Sequence, residues 1–308
     1  MISLPPSLVR AADRWRILPG VVRGPLFVIG SGLTFSGMVV IGKFLGNRMS
    51  GVEIAFFRAL FGWFALLPFV VMAGPAALRT RRPWAHLIRG LLGSVGLALT
   101  FVLVTALPLA DFTALNFTKG LFLVVLAALF LGEPFRARRV IATIAGFCGV
   151  LVMLQPQAGV SLAALGVLFM AFVNAVSLAL IKDMMRTEAP ITVMFYLATV
   201  TTLALAPVSA VVWITPDWTD LGLILAISVL GTLGQSMQVR AFRATDASVL
   251  TPFEYFQLLS AAAFGFIFFG DLPGLWTWMG GAIILAANIY IALRENRARK
   301  APVPKDAA

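Results

Sequence analysis

The sequence predicts an all-helical integral membrane protein with ten transmembrane helices in two inverted five-helix repeats. Three observations predict it. First, 60% of the 308 residues are hydrophobic and only 12% are charged, where a soluble domain carries about 25% charged residues. Mean hydropathy is +0.96. Second, ten apolar stretches alternate with short polar connections, and 19 of the 24 Lys and Arg crowd into every second connection. Third, the two halves of the chain repeat the same marks in the same order.

The basic side takes Arg10, Arg14, Arg16 and Arg23, then Arg79, Arg81 and Arg82, then Arg136, Arg138 and Arg139. It continues with Lys182 and Arg186, then Arg240 and Arg243, then Arg294, Arg297, Arg299, Lys300 and Lys305. The other side holds only Arg48. Lys43, Arg58, Arg89 and Lys119 fall within apolar stretches or at their ends. Short basic loops stay in the cytoplasm, so both termini are expected inside a bacterial inner membrane. The net charge of +11 is dispersed among these loops. It marks orientation and contact with anionic lipid rather than a nucleic-acid surface.

Segment 1–23 is basic, and no signal-peptide cleavage site follows the next apolar run, so that run reads as a permanent span. The expected spans are 24–44, 53–73, 84–105, 111–131 and 138–155 in the first repeat (24–155). In the second repeat (161–293) they are 161–181, 191–213, 221–242, 248–269 and 275–293. Segment 294–308 is a cytoplasmic tail. Most spans reach the roughly 20 apolar residues that cross a bilayer core. The fifth is short. Tight connections at 156–160 and 270–274 require antiparallel neighbours. Trp84, Trp213, Trp218, Trp276 and Trp278 fall near expected interfaces, as an aromatic belt does.

The repeat is read from matched marks. Gly93 and Gly96 in span 3 have the spacing of Gly231 and Gly234 in span 8. Phe56-Phe57 before Pro68 in span 2 matches Phe195-Tyr196 before Pro207 in span 7. Asp111 to Glu133-Pro134 matches Asp246 to Asp271-Leu272-Pro273. Five spans per half is odd, so the second half enters the membrane upside down. Inverted repeats place a substrate site near the midplane and support alternating access.

Leu129-Phe130-Leu131-Gly132-Glu133-Pro134, Pro252-Phe253-Glu254-Tyr255, Phe268-Phe269-Gly270-Asp271-Leu272-Pro273 and Arg58 before Ala59-Leu60 resemble the drug/metabolite transporter superfamily, EamA type. The resemblance covers nearly the whole chain. It implies a carrier of a small metabolite, in a family that includes amino-acid, drug and S-adenosylmethionine carriers. Where many relatives have a proline early in span 4, this chain has Phe117-Thr118-Lys119-Gly120.

Lys119 and Glu254 lead the candidate residues. Each stands eight residues after the Asp that opens its span, or about 12 Å along the helix. Spans 4 and 9 enter from opposite faces of a core about 30 Å thick, so the two charges are expected within about 6 Å in depth. A dipolar site would set Lys119 against a substrate carboxylate and Glu254 against an ammonium. A Lys119–Glu254 salt bridge, a structural Glu254–Arg58 pair, or proton uptake by Glu254 are the other readings. Uncharged candidates are Asn116, Asn174, Ser177, Gln235, Gln238, Gln257 and Thr100, with Phe101 and Tyr255 as an apolar wall. Many such groups only bond between helices. Arg58 is expected to pair with Glu53 or to snorkel, Lys43 and Lys182 to anchor at interfaces, and His86 to sit at an interface.

Other functions are excluded by what is missing. Gly37 to Lys43 imitates a phosphate-binding loop, but Phe44 replaces its Ser or Thr and no strand precedes it. Asn116-Phe117-Thr118 is a glycosylation sequon too deep in a span to be modified. The single Cys148 permits no intramolecular disulfide. No cofactor, metal cluster or catalytic constellation is expected. The reading is a secondary transporter, not an enzyme, that exports amino acids or related zwitterions by alternating access. A carrier of S-adenosylmethionine or a drug-like compound is the alternative. An intramembrane enzyme is the alternative of another class.

Overall fold

The computed structural model describes residues 19–130, 137–154, 161–184, 187–244, 250, 253–254 and 256–300. Helices run through them as α1 Gly20–Leu45, α2 Gly51–Ala73, α3 Pro83–Leu103, α4 Leu109–Asn116, α5 Lys119–Phe130 and α6 Ala137–Leu154. They continue as α7 Leu162–Met184, α8 Pro190–Val211, α9 Trp218–Ala244, α10 Phe256–Phe269 and α11 Leu275–Lys300. Seven spans are long and apolar enough to cross a membrane, and three shorter apolar helices cover residues 140–154, 256–269 and 275–291. Seven and three make the ten spans expected. Among the described residues there is no strand.

Local chemistry sets the helix ends. Pro19 and Pro108 precede the first turns of α1 and α4, while Pro83 and Pro190 stand in the first turns of α3 and α8. Proline suits these places because the first turn has no partner for its N–H. Gly74 (φ 74°) ends α2 and Gly270 (φ 69°) follows α10 in the left-handed region that a side chain resists. The five tryptophans expected in a belt are all exposed to the bundle's surroundings.

Span 4 departs from the single helix expected. It breaks at Phe117-Thr118 into α4 and α5. Here the N–H groups of Thr118 and Gly120 bond three residues back, to Leu115 and Phe117. Gly120 serves close approach: a Cβ there would lie 2.3 Å from Oδ1 of Asn288 on α11. Asn288 Nδ2 in turn donates to the Phe117 carbonyl at 3.5 Å and to that of Ile284 at 3.0 Å. Polar backbone freed inside a membrane is thus met by a neighbouring helix.

Helix pairing shows the inversion directly. Spans 2 and 7 are repeat counterparts, and they pack on each other as α2 and α8. Glu53 at the start of α2 accepts the N–H of Ile214, just past the end of α8. Trp63 Nε1 donates to Thr199 Oγ1 at mid-helix, and Tyr196 near the start of α8 donates to the Leu78 carbonyl past the end of α2. Spans 5 and 10 behave alike as α6 and α11: Gly146 meets Ala287, and Gly149 meets Gly280 and Ile283. Both counterpart pairs run antiparallel. A twofold that maps a helix onto an antiparallel neighbour is perpendicular to both, so it lies in the membrane plane. Three further pairs of interfaces obey the same operation, whereas the α2–α3 contact has no counterpart of like size between α8 and α9 among the described residues. The α1–α9 contact is matched by α7–α3, α1–α10 by α7 with α4 and α5, and α3–α8 by α9–α2.

The densest packing lies at the face without basic loops, called the far face below. Leu45, Ile54, Phe101, Val104 and Leu109 are all 0% exposed there. Phe101 is fully buried and does not line the cavity described below. Its ring covers Gly42 of α1, where a Cβ would come within 2.5 Å of it, and its backbone carbonyl carbon lies 2.6 Å from where a Cβ of Gly51 would stand. Lys43 also belongs to this seal rather than to a lipid anchor. Its Nζ donates to Asp271 Oδ2 at 2.9 Å and to the Leu107 carbonyl at 3.1 Å. The side chain of Lys182 lies outside the described residues.

Candidate functional site

Beneath the far-face seal lies a cavity of about 310 Å³ with a mixed polar and apolar lining, within the size of small-molecule sites. Spans 1 to 4 and 6 to 9 contribute to its wall. It extends toward the face of the basic loops, where Arg89, Ile181, Met194 and Gln238 line it.

Eight of the sequence candidates come together here. Asn116, Lys119, Thr100, Asn174, Ser177, Gln235, Gln238 and Gln257 all line the cavity. Thr100 Oγ1 donates to the Gly96 carbonyl at 2.8 Å, and Asn174 Nδ2 lies 3.5 Å from Asn116 Oδ1. Lys119 is the first residue of α5, and its ammonium stands 5.8 Å from the centroid of the Phe117 ring. Glu254 is half-buried but does not line the cavity, and no ion pair joins it to Lys119 among the described residues. Tyr255 lies outside the described residues.

Two further cations enter the wall. Arg58 does not pair with Glu53, whose Oε1 instead takes the Ile214 N–H at 3.1 Å. Its Nε donates to Met38 Sδ at 3.2 Å, and its guanidinium fills a notch at Gly231, where a Cβ would sit 2.7 Å from Nε. Arg89 is 3% exposed and donates from Nη1 to the Val193 carbonyl at 3.0 Å. Both were visible in the sequence as ionisable residues inside spans, which are usually functional.

The notches are symmetric but their occupants are not. Gly231 receives Arg58, whereas its counterpart Gly93 receives Leu197, the repeat counterpart of Arg58. Gly234 meets Thr34 and Phe35, and its counterpart Gly96 meets Asn174. Glycine lets the facing side chain press against the helix backbone, and each half spends that space differently. The wall thus holds Arg58, Arg89 and Lys119 and, among the described residues, no carboxylate. Such a wall can hold a carboxylate or another anionic group by charge-assisted hydrogen bonds, with amides and Thr100 to orient the rest. Among the described residues no group of His, Cys, Asp and Glu could hold a metal ion.

Known proteins match most of the chain. Residues 22–155 and again 159–293 match the EamA-like transporter family. The chain belongs to that family. It is 33% identical over 260 residues, 84% of this chain and 89% of the relative, to the S-adenosylmethionine uptake transporter of Rickettsia bellii. It is 32% identical over 289 residues, 91% and 94% of the two chains, to the riboflavin transporter of Rhizobium johnstonii. It is 29% identical over 276 residues, 87% and 95%, to a pseudopaline exporter of Pseudomonas aeruginosa. A solved crystal structure, 18% identical, superposes with a TM-score of 0.61 over 90% of this chain and 99% of that one. The protein is therefore a multi-pass transporter of the small-metabolite class. Its relatives include proteins named for uptake and for export.

Proposed function

We propose that the protein is a secondary transporter that moves a small carboxylate-bearing metabolite across the bacterial plasma membrane by alternating access. The supporting observation is the cavity wall, with Arg58, Arg89 and Lys119 and no carboxylate among the described residues. A negative substrate group offsets mutual repulsion among three cations in a low-dielectric site. Amino-acid export fits only through the substrate's carboxylate, because Glu254, the expected ammonium partner, is not in the wall. S-adenosylmethionine also bears a carboxylate, but its ammonium and sulfonium leave it net positive, and those groups would meet like charges in the wall. On this reading the halves 24–155 and 161–293 rock about the central site. Segments 1–23 and 294–308 and the basic connections lie in the cytoplasm, by the charge bias of their loops. The state described opens to the cytoplasm.

Purified protein in proteoliposomes tests the substrate class. Counterflow would be measured with neutral amino acids, dicarboxylates, riboflavin and S-adenosylmethionine. Anionic and zwitterionic carboxylates should exchange and compete with one another, and S-adenosylmethionine, a carboxylate with net positive charge, should compete weakly. Strong S-adenosylmethionine counterflow untouched by the amino acids and dicarboxylates would overturn the proposal. Single cysteines on a Cys148→Ala background test orientation, with residue 80 expected to label only from the cytoplasmic side.

A further inference from the structure

The chain's one histidine is buried in a place that the transport site does not use. His86 is 2% exposed in the first turns of α3, and neither ring nitrogen has a hydrogen-bond partner. At the start of its span it thus faces protein rather than lipid or water. Its Nε2 stands 3.8 Å from Oε2 of Glu188, which is 9% exposed. The other carboxylate oxygen of Glu188 is already engaged. Oε1 accepts from Thr80 Oγ1 at 2.9 Å and from the Arg81 N–H at 3.2 Å. The Tyr196 ring of α8 lies against the imidazole, with centroids 4.6 Å apart.

We propose that His86 and Glu188 form a proton-binding site that couples the opening of the cavity to pH. This rests on the transporter reading above. The charged surroundings are few and can be named. Arg82, four residues before, caps the start of α3, and Arg89, three residues after, lies on α3 itself. Arg82 is paired with Asp183 of α7 at 2.5 Å, and Arg89 bonds the Val193 carbonyl of α8. Glu188 comes from the connection between α7 and α8, and Tyr196 from α8, where its hydroxyl donates to the Leu78 carbonyl. Arg81 contributes its backbone N–H. Glu188 is thus the one carboxylate directly facing the ring among the described residues.

A neutral imidazole at this spot carries both an unmet N–H and an unmet lone pair, a poor state for a buried group. When Nε2 takes a proton from water at the basic face, both ring nitrogens become donors. The ring becomes a cation whose nearest counter-charge is Glu188. The pair then joins the α7–α8 connection to the start of α3. Both sides of that joint lead into the cavity. Arg89 lines it one helical turn beyond His86, and α7 and α8 supply Asn174, Ser177 and Leu197. Loss of the proton frees the joint. Histidine is the side chain whose charge changes near physiological pH, so it suits a coupling site.

The single histidine makes a direct test possible. Selectively labelled imidazole in the full-length protein would be followed by NMR in nanodiscs between about pH 5 and pH 8. The ring should change protonation in that window, and Glu188→Gln should abolish the change within it. In proteoliposomes, the dependence of counterflow on pH should be lost in His86→Gln and in Glu188→Gln. A ring that keeps one protonation state throughout, or a pH response in both variants equal to that of the parent, would overturn the proposal. If none of the panel substrates exchanges, the substrate proposal fails by itself, and the NMR titration still decides the proton site.

Discussion

The two ends of the bundle are built from the same helices and are closed differently. At the far face α1 meets α3, where Phe101 covers Gly42 and Thr105 presses on Gly46. The operation that relates the halves carries this contact to α7 and α9 at the basic face. By the repeat spacing, Phe101 stands eight residues after Gly93, as Val239 does after Gly231, and Gly42 before Lys43 corresponds to Ile181 before Lys182. There α7 and α9 form no comparable interface among the described residues, and Ile181 borders the cavity instead. A ring over a glycine closes one end, and two branched aliphatic residues leave the other open. A backbone symmetric between facing states thus acquires a preference from a few side chains. That preference is the quantity a transported ligand must overcome.

The comparison breaks most directly at Gly42. Gly42→Leu puts a branched side chain where a Cβ alone would lie 2.5 Å from the Phe101 ring. Overpacking of this kind costs about 1–3 kcal/mol, so the ratio of the two facing states should move about 5- to 150-fold toward far-face opening. Labelling of Thr100→Cys from the far face, on a Cys148→Ala background, reads the shift. Labelling no faster than in the parent would mean that the ring does not hold the seal.

A change at Arg58 sharpens the contrast between the halves. Arg58→Leu makes the Gly231 notch a copy of the Gly93 notch that holds Leu197. Hydrogen bonds to charged groups contribute about 1.5–3 kcal/mol, or roughly 10- to 150-fold in affinity. Exchange of carboxylate substrates should fall by that order, while riboflavin, which lacks a carboxylate, should lose much less. Equal losses for both would make Arg58 a packing residue.

The smallest effect is expected at the far-face rim. Arg48 pairs with Asp217 at 2.5 Å and with Asp220 at 3.2 Å, and both Arg48 and Asp217 are exposed. The Asp217 carboxyl is held below the usual carboxylate range, first by the backbone N–H of Asp220 and then by Arg48. A carboxyl lowered on folding stabilises the fold above its ordinary pKa, and that help is lost as pH falls through the folded value. Asp217→Asn should leave the thermal midpoint nearly unchanged at neutral pH and flatten its decline on acidification. An equal acid decline in variant and parent would show that Asp217 has no part in it.

The number of spans, the alternation of basic loops and the inversion of the halves were readable from the chain. Bilayer thickness fixes the length of an apolar run, and an odd number of spans per repeat forces the flip. Lys119 and the polar residues around it were readable too, since charges and amides in lipid must turn toward protein or water. Tertiary structure alone decided the rest. Sequence arithmetic brings Lys119 and Glu254 to similar depths, because rise per residue is constant. It says nothing of azimuth. In a soluble helix the apolar stripe marks the inward face, but lipid is as apolar as a packed interior, so a membrane helix carries little such mark. Which side of span 9 faces the cavity, and whether Arg58 meets Glu53 or Gly231, depends on the partner helix. The break at Phe117-Thr118 and the burial of His86 also depend on residues far along the chain, Asn288 and Glu188, that local sequence cannot bring near.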